Sequence, residues 1–199
     1  MTAVPHPSHS GSSLQRPLTV REYAELGEDD RHRYELQEGS LVVSPSPAPD
    51  HMIAIANLIL QLAGQVPAGF KAIPDVDVDL ELVSPDKPGF SRRPDLVVVP
   101  QAATGRVREE GGLLRASEAV LVVEVVSLAS RRTDHVIKRD EYADAGIPHY
   151  WIVDLDEPVS LLACHLAEPF GYQDPGDVAG EFVTEVPFPV RLRLDELVE

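Results

Sequence analysis

Apolar and polar positions change their spacing several times along the chain, and each change marks an element. Residues 1–17, MTAVPHPSHSGSSLQRP, have almost nothing to bury and are expected to form a disordered tail in which His6 and His9 are not ligands. Order is expected from Leu18. Thr19 and Glu22 have the T-x-x-E spacing of a capping box, Leu18 and Tyr23 stand where a hydrophobic staple closes, and the short helix ends near Gly27. RYELQEGSLVVSPSPAP reads as two short strands around a Glu38-Gly39 turn, running into a Pro/Ser loop. Asp50 is expected to cap the helix HMIAIANLILQLAGQV, which is apolar round most of its circumference and so should be packed on more than one side.

From Ile73 the period becomes two. Asp75, Asp77, Asp79 and Glu81 alternate with Val76, Val78, Leu80 and Leu82, as in a strand with one buried face and one acidic, solvated face. PDLVVVP and AVLVVEVVS, separated by a loop of about eighteen residues, are dense in Val and Leu as central strands covered on both faces should be. Residues 130–145 predict a helix stopped by Gly146 at C′ and Pro148 beyond it. HYWIVDL is another central strand, and VSLLACHLA, EFVTEV and VRLRLDEL form an antiparallel extension. This order predicts an α/β fold: a mixed central β-sheet flanked by helices, with an N-terminal helix and hairpin, residues 18–199 forming one domain.

Composition narrows the class. With 43% hydrophobic residues in 199 the chain can bury a core, and no apolar run approaches the length that spans a bilayer. The single cysteine, Cys164, excludes an intramolecular disulfide framework and a cysteine-rich zinc site, and reads as a small buried apolar residue. Without the basic start and apolar stretch of a signal peptide, the expected location is the cytoplasm. Against 33 acidic residues stand 17 basic ones, a formal charge of −16. Such a chain repels a phosphate backbone unless its charge is locally rearranged or offset by bound metal.

Two acids interrupt the most apolar strands: Asp95 opens PDLVVVP and Glu124 lies inside AVLVVEVVS. A buried carboxylate costs several kcal/mol unless it is paired or metal-bound. Adjacent strands lie about 4.8 Å apart, so the two could share one cation if both side chains point to one face. An all-oxygen site without thiolate suits Mg²⁺ or Mn²⁺. Alternatively each acid pairs with an arginine, Arg92 or Arg93 being nearest to Asp95 in sequence.

Five motifs then fall in order: RYELQEGSLVVSPSP with a following histidine, RRPDLVVV, VEVVS, D-x-x-x-K-x-x-x-Y and GIPHYWIVD. Together, from about Leu18 to Asp154, they make the chain resemble the Uma-type family of restriction endonuclease-like proteins, which has the PD-(D/E)xK nuclease fold. The resemblance implies that Asp95 is the PD aspartate and Glu124 the (D/E) position. The usual lysine position two residues later is Val126, and the family's displaced lysine maps onto Lys138, with Asp134 one turn earlier. Glu35 matches the YEL glutamate and is a candidate third acid of the metal site, and His51 is a candidate auxiliary group. Asp134 and Lys138 also have the spacing of a surface i, i+4 ion pair. Tyr142, Tyr150 and Trp151 read as core packing, Asp154 as a capping or pairing group, and Asp79 or Glu81 could lie beside the site. Where the family often has a proline after the E-x-x-S serine, this chain has Leu128.

The expected activity is divalent-metal-dependent hydrolysis of phosphodiester bonds in nucleic acid, with DNA the expected substrate. Asp95 and Glu124, with Glu35, would hold the cation, and Lys138 would orient the attacking water or offset charge on the phosphorane. Arg131, Arg132, Lys138 and Arg139 supply the only basic concentration near that centre. Cleavage of both strands would favour a homodimer, and no membrane partner is expected. The competing reading is a catalytically weak or inactive module of the same fold that binds nucleic acid or a protein. A carboxylate-pair glycosidase lacks a sugar platform, Trp151 being the only tryptophan, and no phosphate-cradling glycine loop is present.

Overall fold

Two consecutive residues with positive φ, Glu38 at 49° and Gly39 at 74°, close a two-residue turn between β1 (Arg33–Gln37) and β2 (Ser40–Ser44). Positive φ at both central positions follows the right-handed twist of the strands. The computed structural model describes residues 16–27, 33–44, 46–127 and 130–199. The tail assigned to residues 1–17 therefore lies almost wholly outside the described residues, as do His6, His9 and Leu128. Helix α1 (Val20–Ala24) starts as expected, with Thr19 Oγ1 accepting from the Glu22 N–H and the Glu22 carboxylate accepting from the Thr19 N–H. A Cβ on Gly39 would come within 2.6 Å of the Pro17 Cβ, so glycine is required there by contact as well as by φ.

Helix α2 (Pro49–Leu62) departs from expectation twice. Asp50 does not cap it: Ala48 is the N-cap without a side-chain bond, Pro49 takes the first turn, where its missing N–H costs nothing, and Asp50 sits inside that turn. Nor is the helix packed all round. Ala54, Ile55, Leu58 and Leu62 are buried, whereas Met52, Ile53 and Leu60 face outward.

The remaining elements are β3 (Phe70–Pro74), β4 (Val78–Asp79), β5 (Ser91–Arg92), β6 (Leu96–Pro100), α3 (Gln101–Glu110), β7 (Leu114–Arg115) and β8 (Leu121–Val126). A π-helical segment (Thr133–Lys138) then runs into α4 (Arg139–Asp144), followed by β9 (His149–Asp154), β10 (Ser160–Leu166), β11 (Tyr172–Gln173), β12 (Val178–Ala179), β13 (Glu181–Thr184) and β14 (Val190–Arg193). The main sheet has the order β3-β6-β8-β9-β10-β11, with β12 also on β10. Only β8 and β9 are parallel in it, joined by the helical crossover that Gly146 ends at φ 75°. A second sheet runs β2-β1-β5-β4-β7, and β13 pairs with β14.

The acidic alternation after Ile73 is not one strand. It breaks at Asp75 and Glu81, both with positive φ, and only Val78 and Asp79 stay in strand, in the second sheet. Each acid has its own partner: Asp75 pairs with Arg33, Asp77 with Arg93 and the Tyr23 hydroxyl, Asp79 accepts from the Glu81 N–H, and Glu81 from the Ser117 N–H. The presumed loop after Pro100 contains α3, whose single buried residue, Ala103, left no apolar period to read.

In the main sheet, side chains alternate between two cores as the pleat demands. Leu96, Val98, Leu121, Val123 and Val125 pack beneath α2 and the β13–β14 hairpin. Val97, Val99, Val122 and Val126 enter the opposite core with Tyr142, Tyr150 and Ile152. Among the described residues no helix is long and apolar enough to cross a membrane.

Candidate active site

Parity along β6 and β8 decides where the two acids go. Positions 97 and 99, and positions 122 and 126, face the core that holds Tyr142, so Asp95 and Glu124 share that face. Leu96 pairs with Val123 across the antiparallel ladder, which sets Asp95 one step further along opposite Glu124. Asp95 is anchored there: its Oδ2 accepts from the Val125 N–H at 2.7 Å, and its Oδ1 lies 3.0 Å from His51 Nε2 at the start of α2. That bond to Asp95 raises the pKa of His51 against the opposing effect of burial. Neither Arg92 nor Arg93 pairs with Asp95 or Glu124.

Glu124 is buried, and its Oε1 accepts from Lys138 Nζ at 2.9 Å and from the Tyr142 hydroxyl at 2.7 Å. Among the described residues both hydrogen bonds to Glu124 fall on Oε1. The π-helical segment and α4 turn Asp134, Lys138 and Tyr142, each four residues apart, onto the sheet. Asp134 and Lys138 are therefore not a surface pair: both are buried, with Lys138 Nζ 3.6 Å from Asp134 Oδ1 and 3.4 Å from Glu35 Oε1. Widened π turns recur at functional sites because they re-aim side chains without ending a helix.

Glu35 is buried in β1, not an exposed strand glutamate. Its Oε2 accepts from Arg92 Nη1 at 2.8 Å and its Oε1 from the Arg93 N–H at 3.2 Å. Arg92 turns its other edge to Glu141 on α4 as a two-pronged pair of 2.6 and 2.7 Å. Arg92 thus ties the hairpin, β5 and α4 around Lys138.

These contacts set the charges. Burial, with Asp95, Asp134 and Glu35 nearby, pushes Glu124 up to about 8 against the pull of Lys138. Burial acts to lower Lys138, but Glu124, Glu35 and Asp134 outweigh it and hold the ammonium charged. Burial also acts to raise Glu35, which Lys138 and Arg92 reverse into a net lowering.

A pH effect on stability follows. Glu124 binds its proton more tightly folded than unfolded, so the folded state loses stability as pH rises from the ordinary value of 4.5 through about 8. In chelator, the melting temperature of Glu124→Gln is expected to fall less steeply over this window than that of the parent chain. Parallel slopes in thermal melts would contradict the assignment.

The structure brings Asp95, Glu124, Lys138, Glu35 and His51 into one region. It adds Tyr142, read from the sequence as packing, and Arg92 and Glu141, which no strand or helix period singles out. Tyr142 did carry a signal: it falls one turn after Lys138. Asp79 and Glu81 bond to backbone N–H groups, those of Glu81 and Ser117. Trp151 packs against Phe182 in the core beneath α2, and Asp154 pairs with Arg131. The basic concentration on the crossover is largely neutralised, because Arg131 also meets Asp156, Arg139 meets Asp174 and Lys138 is buried among acids.

The donor set suits a hard divalent cation. Among the described residues no three His, Cys, Asp or Glu side chains are grouped to cage a metal. Mg²⁺ does not need such a cage, since one or two carboxylates, waters and substrate phosphate commonly complete its shell. Asp95 and Glu124 are the candidates that would supply that pair.

The family model Uma2, described as "Putative restriction endonuclease", matches residues 20–189. A crystal structure described as "a putative nuclease belonging to DUF820", from Anabaena variabilis, superposes with a TM-score of 0.68 at 18% identity, covering 92% of this chain and 98% of that one. The likeness shows the restriction-endonuclease-like mixed α/β fold. No curated protein matches.

Proposed function

Since the chain belongs to the Uma2 family of restriction endonuclease-like proteins, we propose that it is a divalent-cation-dependent endonuclease that hydrolyses phosphodiester bonds of DNA at Asp95, Glu124 and Lys138. One observation carries the reading: two carboxylates from neighbouring strands share a face, and a buried lysine rests on one of them. Asp95 and Glu124 would hold Mg²⁺ or Mn²⁺, with Glu35 bordering them. When bound, the cation supplies Lewis-acid polarisation of the phosphate and a lowered pKa for the attacking water.

The chain's own groups do the rest. Lys138 keeps its proton, so it offsets negative charge on the phosphate oxygens and does not act as a base. His51 and the Val125 N–H fix the Asp95 carboxylate. Glu35, itself fixed by Arg92, faces Lys138 from the hairpin side. With a net charge of −16, engagement of DNA depends on the cation. A cytoplasmic location and a homodimer presenting two such sites complete the reading.

The test is a cleavage panel of double-stranded DNA, single-stranded DNA and RNA with Mg²⁺, Mn²⁺ or chelator. Cleavage of DNA with either cation and none in chelator is expected; cleavage that persists in chelator would overturn the proposal. A second reading, a binding module, is favoured by the closed ion-pair network around Lys138, and predicts cation binding without cleavage of any substrate.

A further inference from the structure

Tyr142 looks like ordinary core: its ring is fully buried and meets Tyr150 edge-on, centroids 5.1 Å apart. Its hydroxyl, however, donates to a carboxylate, not to the backbone. Tyr150 and Tyr172 lie behind it, their rings tilted by 39° with centroids 5.8 Å apart, and their hydroxyls donate to main-chain carbonyls, Asp134 O at 3.0 Å and Ile147 O at 2.7 Å. Of this row only Tyr142 donates to a carboxylate of the acid cluster, with its hydroxyl 2.7 Å from Glu124 Oε1. Lys138, one turn earlier, donates to the same oxygen at 2.9 Å. Two donors on one oxygen leave the other as the carboxylate's available donor to a cation, and they stop the group from rotating about its last torsion. Lys138 is a flexible four-carbon arm with two further acidic neighbours, Glu35 and Asp134. Tyr142 has a rigid ring and no such choice.

We propose that Tyr142 is a positioning residue: its hydroxyl pins Glu124 Oε1 and so reserves Oε2 for the divalent cation shared with Asp95. The inference rests on the reading of Asp95 and Glu124 as the cation site. Groups that orient a metal ligand from behind typically contribute ten- to a hundredfold to metal affinity.

The experiment is a calorimetric titration of Mn²⁺ into the full chain and into Tyr142→Phe, Tyr150→Phe and Glu124→Gln, with a thermal melt of each. Tyr142→Phe is expected to bind Mn²⁺ about ten- to a hundredfold more weakly, with Tyr150→Phe near the parent chain. Equal affinity of Tyr142→Phe and the parent, or equal weakening in both Tyr→Phe variants, overturns the inference while loss in Glu124→Gln leaves the site reading standing. Undiminished binding by Glu124→Gln overturns both. Should Tyr142→Phe fail to fold, the parent chain labelled at tyrosine ¹³Cζ decides: the Tyr142 resonance is expected to move on addition of Mg²⁺ while that of Tyr172 stays, and an unmoved Tyr142 signal overturns the inference.

Discussion

Asp95→Asn and Glu124→Gln are each expected to lower cation-dependent nicking of supercoiled DNA by about three orders of magnitude or more. The size follows from the several kcal/mol that a correctly held cation contributes to a phosphoryl transition state, at about 1.4 kcal/mol per factor of ten. Amide isosteres are the right replacements because they keep the volume of a buried site while replacing one carboxylate oxygen, a donor to the cation, with an NH₂ group that cannot ligate it. In Glu124→Gln, Lys138 retains Glu35 and Asp134 as neighbours at 3.4 and 3.6 Å, so the fold is expected to survive. Asp95→Asn keeps an oxygen for the Val125 N–H. Nicking rates within threefold of the parent chain for both variants, with unchanged circular dichroism, would place the chemistry elsewhere.

Arg92→Met is expected to be the most damaging single change to stability. Arg92 is buried and joins Glu35 on β1 to Glu141 on α4 with three charge-assisted hydrogen bonds. Removing one partner of a buried pair leaves an uncompensated charge and costs about 3–5 kcal/mol. For a chain of this size that lowers the melting temperature by roughly 6–20 °C. The loss comes from the stranded carboxylates and not from missing attraction, so adding Glu35→Gln and Glu141→Gln to Arg92→Met should restore much of it. Three single effects that simply add, measured by thermal or denaturant melts, would show that the groups are independent.

Much of the frame was legible because it follows from local rules. Thr19 and Glu22 announce a capped helix, Glu38-Gly39 a tight hairpin, Gly146 a helix end, and the Val-rich strands a sheet covered on both faces. Glu124 announced itself by interrupting such a strand. Over the acidic alternation, distant partners decide the outcome. The alternation from Asp75 to Glu81 looks like a strand until Arg33, Arg93 and a change of sheet break it. Helix α3 buries too little to leave a period, and Pro49 displaced Asp50 from the cap. The candidate site shows the same division. Lys138 is singled out by the family resemblance, its spacing alone fitting a surface ion pair, whereas its burial against Glu35 depends on the hairpin folding over α4 through Arg92, a contact 57 residues apart in sequence. Tyr142 stands at the motif's spacing but reads as packing, because a buried tyrosine and a tyrosine holding a carboxylate have the same sequence pattern.

The most direct test of the central claim is a crystal of this chain soaked in Mn²⁺ and measured near the manganese edge. An anomalous peak bounded by the carboxylates of Asp95 and Glu124 is the predicted result. Occupied manganese sites elsewhere on the molecule, with none between these two carboxylates, would contradict it.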